Sequence, residues 1–392
     1  MQPVRRQFAV AWAAFVLGLA LPAGAQETPY ELNAIVSVTG ANAFLGKEEL
    51  QVFAALEALT NKNGGIRGRP LKIVVSDDQT NPQVAVQLVN GLAAKSVPVI
   101  LGPGISSTCS SALPLVTAGG PVSYCFSPAV HPPDGSYMFT ATVATNDLVT
   151  AMMRYLHARG LKRIALITAT DATGQDVSRQ LEAVLQRPEN TDLQLVAHEY
   201  FSPTEISVAA QMSRVKAANP QVFITTSTGT PFGTLLRGIH DAGIEFPIVS
   251  NGANMTLPQM QQYHDYLPRE LLFTGDRGLV LEGRSQGAVH AAQALFFDTL
   301  LAQNIRPDFG HMLSWDATLL TIEALKKLGP NATAAQIHDY LQGVRGWSGI
   351  VGTYDFAKYP QRGVGLDGAI IYHWDVAKGE FAAVSGPGGA RR

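Results

Sequence analysis

The 392-residue chain is 46% hydrophobic and carries 29 Lys and Arg against 31 Asp and Glu, for a formal net charge of −2. That content supports real cores, and the absence of a long basic run excludes a nucleic-acid-binding surface built on charge. Two cysteines exclude a disulfide scaffold, and they and the scattered histidines show no metal-site spacing.

Residues 1–25 read as a leader. Arg5 and Arg6 form a charged start, 8–21 an apolar core, and Ala23-Gly24-Ala25 an A-x-A cleavage site. The apolar run is short for a membrane span, and no later run reaches the ~18–20 residues required. The expectation is export, cleavage after Ala25, and a mature chain long enough for two domains.

Residues 32–38 are the first expected strand, 41–46 a loop, and 48–61 an amphipathic helix. Gly64, Gly65 and Gly68 mark a reversal. Leu71 to Val75 is a buried strand rich in β-branched residues, ending near Asp77-Asp78. Ala85, Leu88, Val89 and Leu92 recur at helical spacing, and 97–101 is a second buried strand. Gly102-Pro103-Gly104 then opens a loop, with Ser106, Ser107 and Thr108 at the start of the next helix. Those hydroxyls either cap the helix or hold a carboxylate without any Arg or Lys. Cys109 begins that helix and Cys125 lies on the strand at 121–126. A disulfide and two buried thiols are both open to them.

The second half repeats the alternation. Helices are expected at 147–159, 175–185, 208–218 and 232–242, and strands at 163–168, 193–200, 222–226 and 247–250. Ligands in open parallel sheets bind beyond the carboxyl ends of strands, which singles out 171–173, 227–228 and Asn251. A strand at 271–275, helices at 288–303, 314–328 and 334–341, and a closing hairpin at 369–374 and 381–384 complete the order. The fold class is α/β, with mainly parallel sheets in two lobes.

Several motifs stand in the order of one family. Thr39-Gly40 to Gly46, G-G-I-x-G-x-x-L from Gly64, Asp77-Asp78, the strand leading into Gly102-Pro103, Ser127-Pro128, and Gly346 to Phe356 resemble the leucine/isoleucine/valine-binding proteins. These are periplasmic solute-binding proteins of ABC importers with the type I fold. The resemblance runs from about residue 30 to 384. It implies two lobes joined by a three-strand hinge, with passages near 142, 274 and 348. Lobe 1 would comprise 27–142 plus 275–347 and lobe 2 143–274 plus 348–385, with 386–392 a disordered tail.

It further implies a periplasmic monomer that binds a small molecule, uses no cofactor or metal, and serves the permease subunits of an inner-membrane ABC transporter. The expected ligand residues are Phe44, Ser106, Ser107, Ser127, Ala129, Asp171, Thr173, Thr228, Asn251 and Arg277. Amino-acid-binding relatives place Tyr where this chain has Thr173, and an acidic residue where it has Ser250-Asn251-Gly252. An ammonium buried without a counter-charge is costly, so an aromatic or other organic acid is favoured over an amino acid. A ligand-sensing role beside a receptor is an alternative. A serine hydrolase reading rests on Gly283-Arg284-Ser285-Gln286-Gly287, which lacks a good preceding strand and an oxyanion loop.

Overall fold

The computed structural model describes residues 28–280 and 287–392. The leader segment and Ser285 lie outside them. Among the described residues no helix is long and apolar enough to cross a membrane.

The first sheet is built by β1 (Tyr30–Val36), β2 (Leu71–Asp77), β3 (Val99–Leu101), β4 (Val122–Cys125) and β5 (Met138–Thr140), connected through α1 (Ala43–Lys62), α2 (Pro82–Ala94) and α3 (Ser106–Ala112). Its order is β2-β1-β3-β4-β5, and every pairing is parallel. Parallel strands need crossovers, so helices cover both faces and both must be apolar. Alternation along β1 shows this. Ala34 and Val36 join one core, while Ile35 joins a second with Ile100, Val89 and both cysteines.

The second unit contains α4 (Thr145–Ala158), β6 (Arg163–Ala169), α5 (Ala172–Leu185), β7 (Gln194–Phe201), α6 (Ala209–Ala217), β8 (Val222–Thr226), α7 (Thr230–Asp241), β9 (Ile248–Asn251), α8 (Leu257–Gln262) and β10 (Leu271–Asp276). The chain continues through α9 (Ala288–Leu301), α10 (Phe309–Leu328), α11 (Ala334–Gln342), the hairpin β11 (Arg345–Ser348) and β12 (Thr353–Asp355), then β13 (Ala369–Asp375) and β14 (Glu380–Ala383). The second sheet runs β14-β13-β10-β9-β8-β6-β7, parallel except for its last two strands, which pair antiparallel. Ile164 and Leu166 pack with α4 and α5, and Ala165 and Ile167 face the opposite core. Helix α10 returns to pack on α1.

Three passages join the lobes, and their bonds lie close together. Arg362 Nη1 donates to Thr142 O at 2.6 Å, Val143 N donates to Asp276 Oδ1 at 3.2 Å, and Tyr354 Oη donates to Ala141 O at 2.8 Å. Burial pushes Asp276 up to about 7, against the Val143 N–H and the Arg362 charge that hold it down. The third passage falls later than the expected position near 348. Residues up to Arg362 stay against the first lobe: Phe139 meets Phe356, and Thr140 N donates to Gln361 O.

The end of the chain also departs from expectation. Residues 386–392 are not a disordered tail. They form a turn at Pro387–Gly389 and a bridge from Ser385 to Arg391, and they pack on α4. Composition misleads here because the glycines are used for fit. Gly389 has φ +78°, and a Cβ there would fall onto the Ala151 carbonyl.

Candidate functional site

The cleft between the lobes encloses a cavity of about 110 Å³. One wall comes from the loops after β3 and β4. Gly102 has φ +92°, and a Cβ there would collide with the Ile35 carbonyl, so only glycine lets the chain turn this close to β1. Ser123 Oγ donates to Gly102 O at 2.7 Å and holds the loop in place. Asp77 and Asp78 anchor the neighbouring loop after β1. Val38 N, Thr39 N and Thr39 Oγ1 donate to Asp77, and Ser37 Oγ donates to Asp78 at 2.6 Å.

Cys109 and Cys125 form a disulfide with an S–S distance of 2.05 Å and a Cα–Cα distance of 5.9 Å. It ties the start of α3 to the end of β4. The hydroxyls of Ser106 and Ser127, near each half-cystine, stand 2.6 Å apart. No side chain of residues 106–108 caps α3: Ile105 is the N-cap residue, and Thr108 Oγ1 donates back to its carbonyl. The capping alternative is therefore excluded for Ser106, whose Oγ also lies 2.8 Å from Thr173 Oγ1 across the cleft.

The opposite wall carries Asp171, Thr173 and Thr228, beyond the carboxyl ends of strands of the second sheet, and Asn251, the last residue of β9. Ser107 and Ala129 complete the first wall. Phe44 and Arg277 do not line the cavity. Helix α1 begins at Ala43, earlier than expected, so its first turn presents Leu45 to the cavity in place of Phe44. Arg277 lies in a short turn after β10, where its carbonyl accepts from Gln293 Nε2.

Sequence reasoning missed one wall altogether. Thr145, Leu148, Val149 and Met152 line the cavity from α4 at three- and four-residue spacing, and Phe309 and Leu313 do so from α10. The α4 stripe was readable as an apolar face, but nothing local says that this face reaches a cleft.

Asp171 is the one ionisable residue in the wall among the described residues. Its Oδ1 accepts from Gly174 N at 2.9 Å as the N-cap of α5. Burial raises its pKa, opposed by backbone N–H groups of Gly174 and Thr173. Asn251 Nδ2 donates to Ser227 O at 2.8 Å, which fixes that loop.

At the cleft edge His131 Nε2 lies 3.0 Å from Asp176 Oδ2 on α5, so this partly exposed histidine bridges the lobes. Burial opposes the Asp176 charge, yet the His131 imidazole and neighbouring hydroxyl and amide donors hold its carboxyl below the usual range. Thr230 N also crosses, donating to Ala41 O at 3.1 Å.

Comparison with known proteins agrees with this geometry. The periplasmic binding protein family matches residues 30–380. The Leu/Ile/Val-binding protein homolog 3 of Brucella melitensis is 22% identical over 94% of this chain and 96% of its own length. A type 1 periplasmic binding protein from Bordetella pertussis superposes with a TM-score of 0.78, at 20% identity over 91% of this chain and 99% of that one. The branched-chain amino acid transporter substrate-binding protein of Streptococcus pneumoniae, solved in complex with isoleucine, superposes at 0.75 with 17% identity, over 91% and 99% of the chains. The two-lobed α/β architecture is that of the type I fold. This chain belongs to the periplasmic binding protein family.

Proposed function

We propose that the protein is the periplasmic capture component of an ABC importer. It is exported with removal of residues 1–25, closes its two lobes as a monomer on a small carboxylate-bearing ligand, and delivers that ligand to a membrane permease. The observation that carries this reading is a cavity held between two lobes and lined by both serine and threonine hydroxyls and apolar side chains. Ser106, Ser107 and Ser127 offer donors to a carboxylate. Leu148, Met152, Phe309 and Leu313 offer an apolar wall to the rest of the molecule.

The amino group is the point of decision. No carboxylate follows β9, and Asp171 is engaged in capping α5. Both favour an amino-free acid, with aromatic acids as the leading class. The second reading is an amino acid whose ammonium meets the free side of the Asp171 carboxyl; the isoleucine-bound relative supports it.

A thermal-shift screen separates them. The panel pairs leucine, isoleucine and valine with benzoate, phenylacetate and short branched acids. Binding at a hundredfold excess over Kd adds ~2.7 kcal/mol to apparent stability. The first reading expects shifts from the amino-free acids alone, and Asp171→Asn leaves their affinity unchanged or improved. If amino acids shift the melt and Asp171→Asn weakens them tenfold or more, the second reading holds. If neither set shifts the melt, the carboxylate assignment fails.

The His131–Asp176 bridge belongs to the closed form under either reading. A pair between a partly exposed imidazole and a buried carboxylate contributes ~0.5–1 kcal/mol after screening on the histidine side. His131→Ala is accordingly expected to weaken ligand binding about two- to fivefold in calorimetric titration at pH 6. Unchanged affinity would remove the bridge from closure.

A further inference from the structure

Behind the apolar wall of the cleft lies a cluster that the binding role does not use. Glu48 on α1 faces Asp308 and His311 at the start of α10. One donor atom from each lies within 4.8 Å of the other two, and all three residues are buried. Gly310 lets the two helices meet here, because a Cβ at that position would overlap Glu48 Oε2.

Each donor is held or left open in a way that points to a cation. His311 Nε2 lies 2.7 Å from Gln51 Oε1, an atom that can only accept, so Nε2 carries the proton. Nδ1 lies 2.7 Å from Asp308 Oδ1, and the Asp308 backbone N–H is directed at it from 3.3 Å. An N–H aimed at Nδ1 asks for a lone pair there. A 2.7 Å contact with a carboxylate oxygen asks for positive charge there, from a proton on Nδ1 or from an ion held by both atoms. An oxygen accepting from the far ring nitrogen is also the arrangement that orients a metal-ligating histidine.

Asp308 Oδ2 accepts from Leu257 N at 2.8 Å, and the same carboxylate caps α10 through the His311 backbone N–H. Neither Glu48 Oε1 nor Oε2 has a hydrogen-bond donor among the described residues, although the side chain is buried.

We propose that Glu48, Asp308 and His311 form a site for one divalent transition-metal ion of the Zn²⁺ class. Two carboxylates and one imidazole suit Zn²⁺ or Mn²⁺ better than Ca²⁺ or Mg²⁺, which take oxygen ligands. The ion neutralises two facing carboxylates and joins α1 to α10. Through Asp308 it also steadies the contact with Leu257 in the second lobe. The site is structural and independent of the ligand read for the cleft.

The test uses the mature protein, stripped with a chelator, dialysed, and incubated with ZnCl₂ before and during calorimetric titration. The expected result is one equivalent of Zn²⁺ per chain, a raised melting temperature, and weaker or absent binding of Ca²⁺ and Mg²⁺. Glu48→Gln keeps the shape and relieves the carboxylate repulsion, so it is expected to fold and to lose at least tenfold in Zn²⁺ affinity. His311→Gln gives a second reading of the same loss. Replacing the exposed His264, which pairs with Asp265 on the surface, leaves affinity unchanged. No saturable binding to the wild-type chain would overturn the site, as would stoichiometric binding that survives both cluster variants. A Glu48→Gln chain that is more stable while the wild type binds no Zn²⁺ would show that the cluster holds protons, not metal.

Discussion

Glu49→Gln is expected to stabilise the protein by about 3 kcal/mol near pH 7 and to change little near pH 5. Glu49 is fully enclosed beside Gly104 and the Asp78 carboxylate. Burial first, then the Asp78 charge, push it up to about 8 from an ordinary value of 4.5. The folded chain therefore holds a proton that the unfolded chain releases above pH 4.5. The contribution of this group is fully present below 4.5 and is lost as pH rises toward 8. At about 1.4 kcal/mol per pH unit, the loss near pH 7 amounts to roughly 3 kcal/mol. Glutamine keeps the shape and does not titrate. Urea midpoints for both chains across pH 5 to 8 read the difference, and depressed groups such as Asp77 and Asp176 cancel because both chains share them. Parallel pH profiles would refute the assignment.

Removing the disulfide is expected to cost about as much. Cys109 and Cys125 are 16 residues apart, and closing a loop of that length in the unfolded chain is worth roughly 3 kcal/mol. The double variant Cys109→Ala/Cys125→Ala should unfold at lower urea by that amount, and reductant should shift the wild type but not the variant. A loss below about 1 kcal/mol would mean that packing alone holds α3 to β4. The same variant should weaken ligand binding, because the bond fixes the two loops that carry Ser106 and Ser127. The two cysteines thus serve the cleft as well as the core.

The order of strands and helices was legible because each buried strand is a short β-branched run and each helix repeats at three to four residues. Boundaries beside the cleft were not. Leu45 and Phe44 are adjacent and both apolar, and only the true start of α1 decides which one reaches the cavity. Helix α10 starts at Phe309 with Asp308 and His311 as reciprocal caps, a pairing outside the usual Ser/Thr with Glu/Gln signature, so its first turn was not seen. Strand β5 is three residues long and has no periodicity to show. Asp171, Thr173, Thr228 and Asn251 were placed beside the cavity because strand ends in parallel sheets define it, Ser106 and Ser107 because they open a helix, and Ser127 and Ala129 through the family resemblance. Arg277 follows a strand end too, but the chain is already turning away there. The disulfide was left open by the sequence, since neighbourhood of α3 and β4 does not by itself set the distance between two sulfurs.

The late return of β13 and β14 to the second sheet has a consequence for how the chain becomes a protein. Strand β10 pairs with β9 on one side and waits for β13 on the other. Until the last residues are available, that strand is an open edge with its backbone donors and acceptors exposed, the kind of edge that recruits other chains. The terminal turn that seats Gly389 on α4 completes the same lobe. Assembly of the second lobe is therefore a whole-chain event, with long-range pairing that is slow to find. Such an order of assembly is compatible with transit of an unfolded chain and folding after release, and it makes a chain that ends before Ala369 a self-associating fragment rather than a smaller version of the protein.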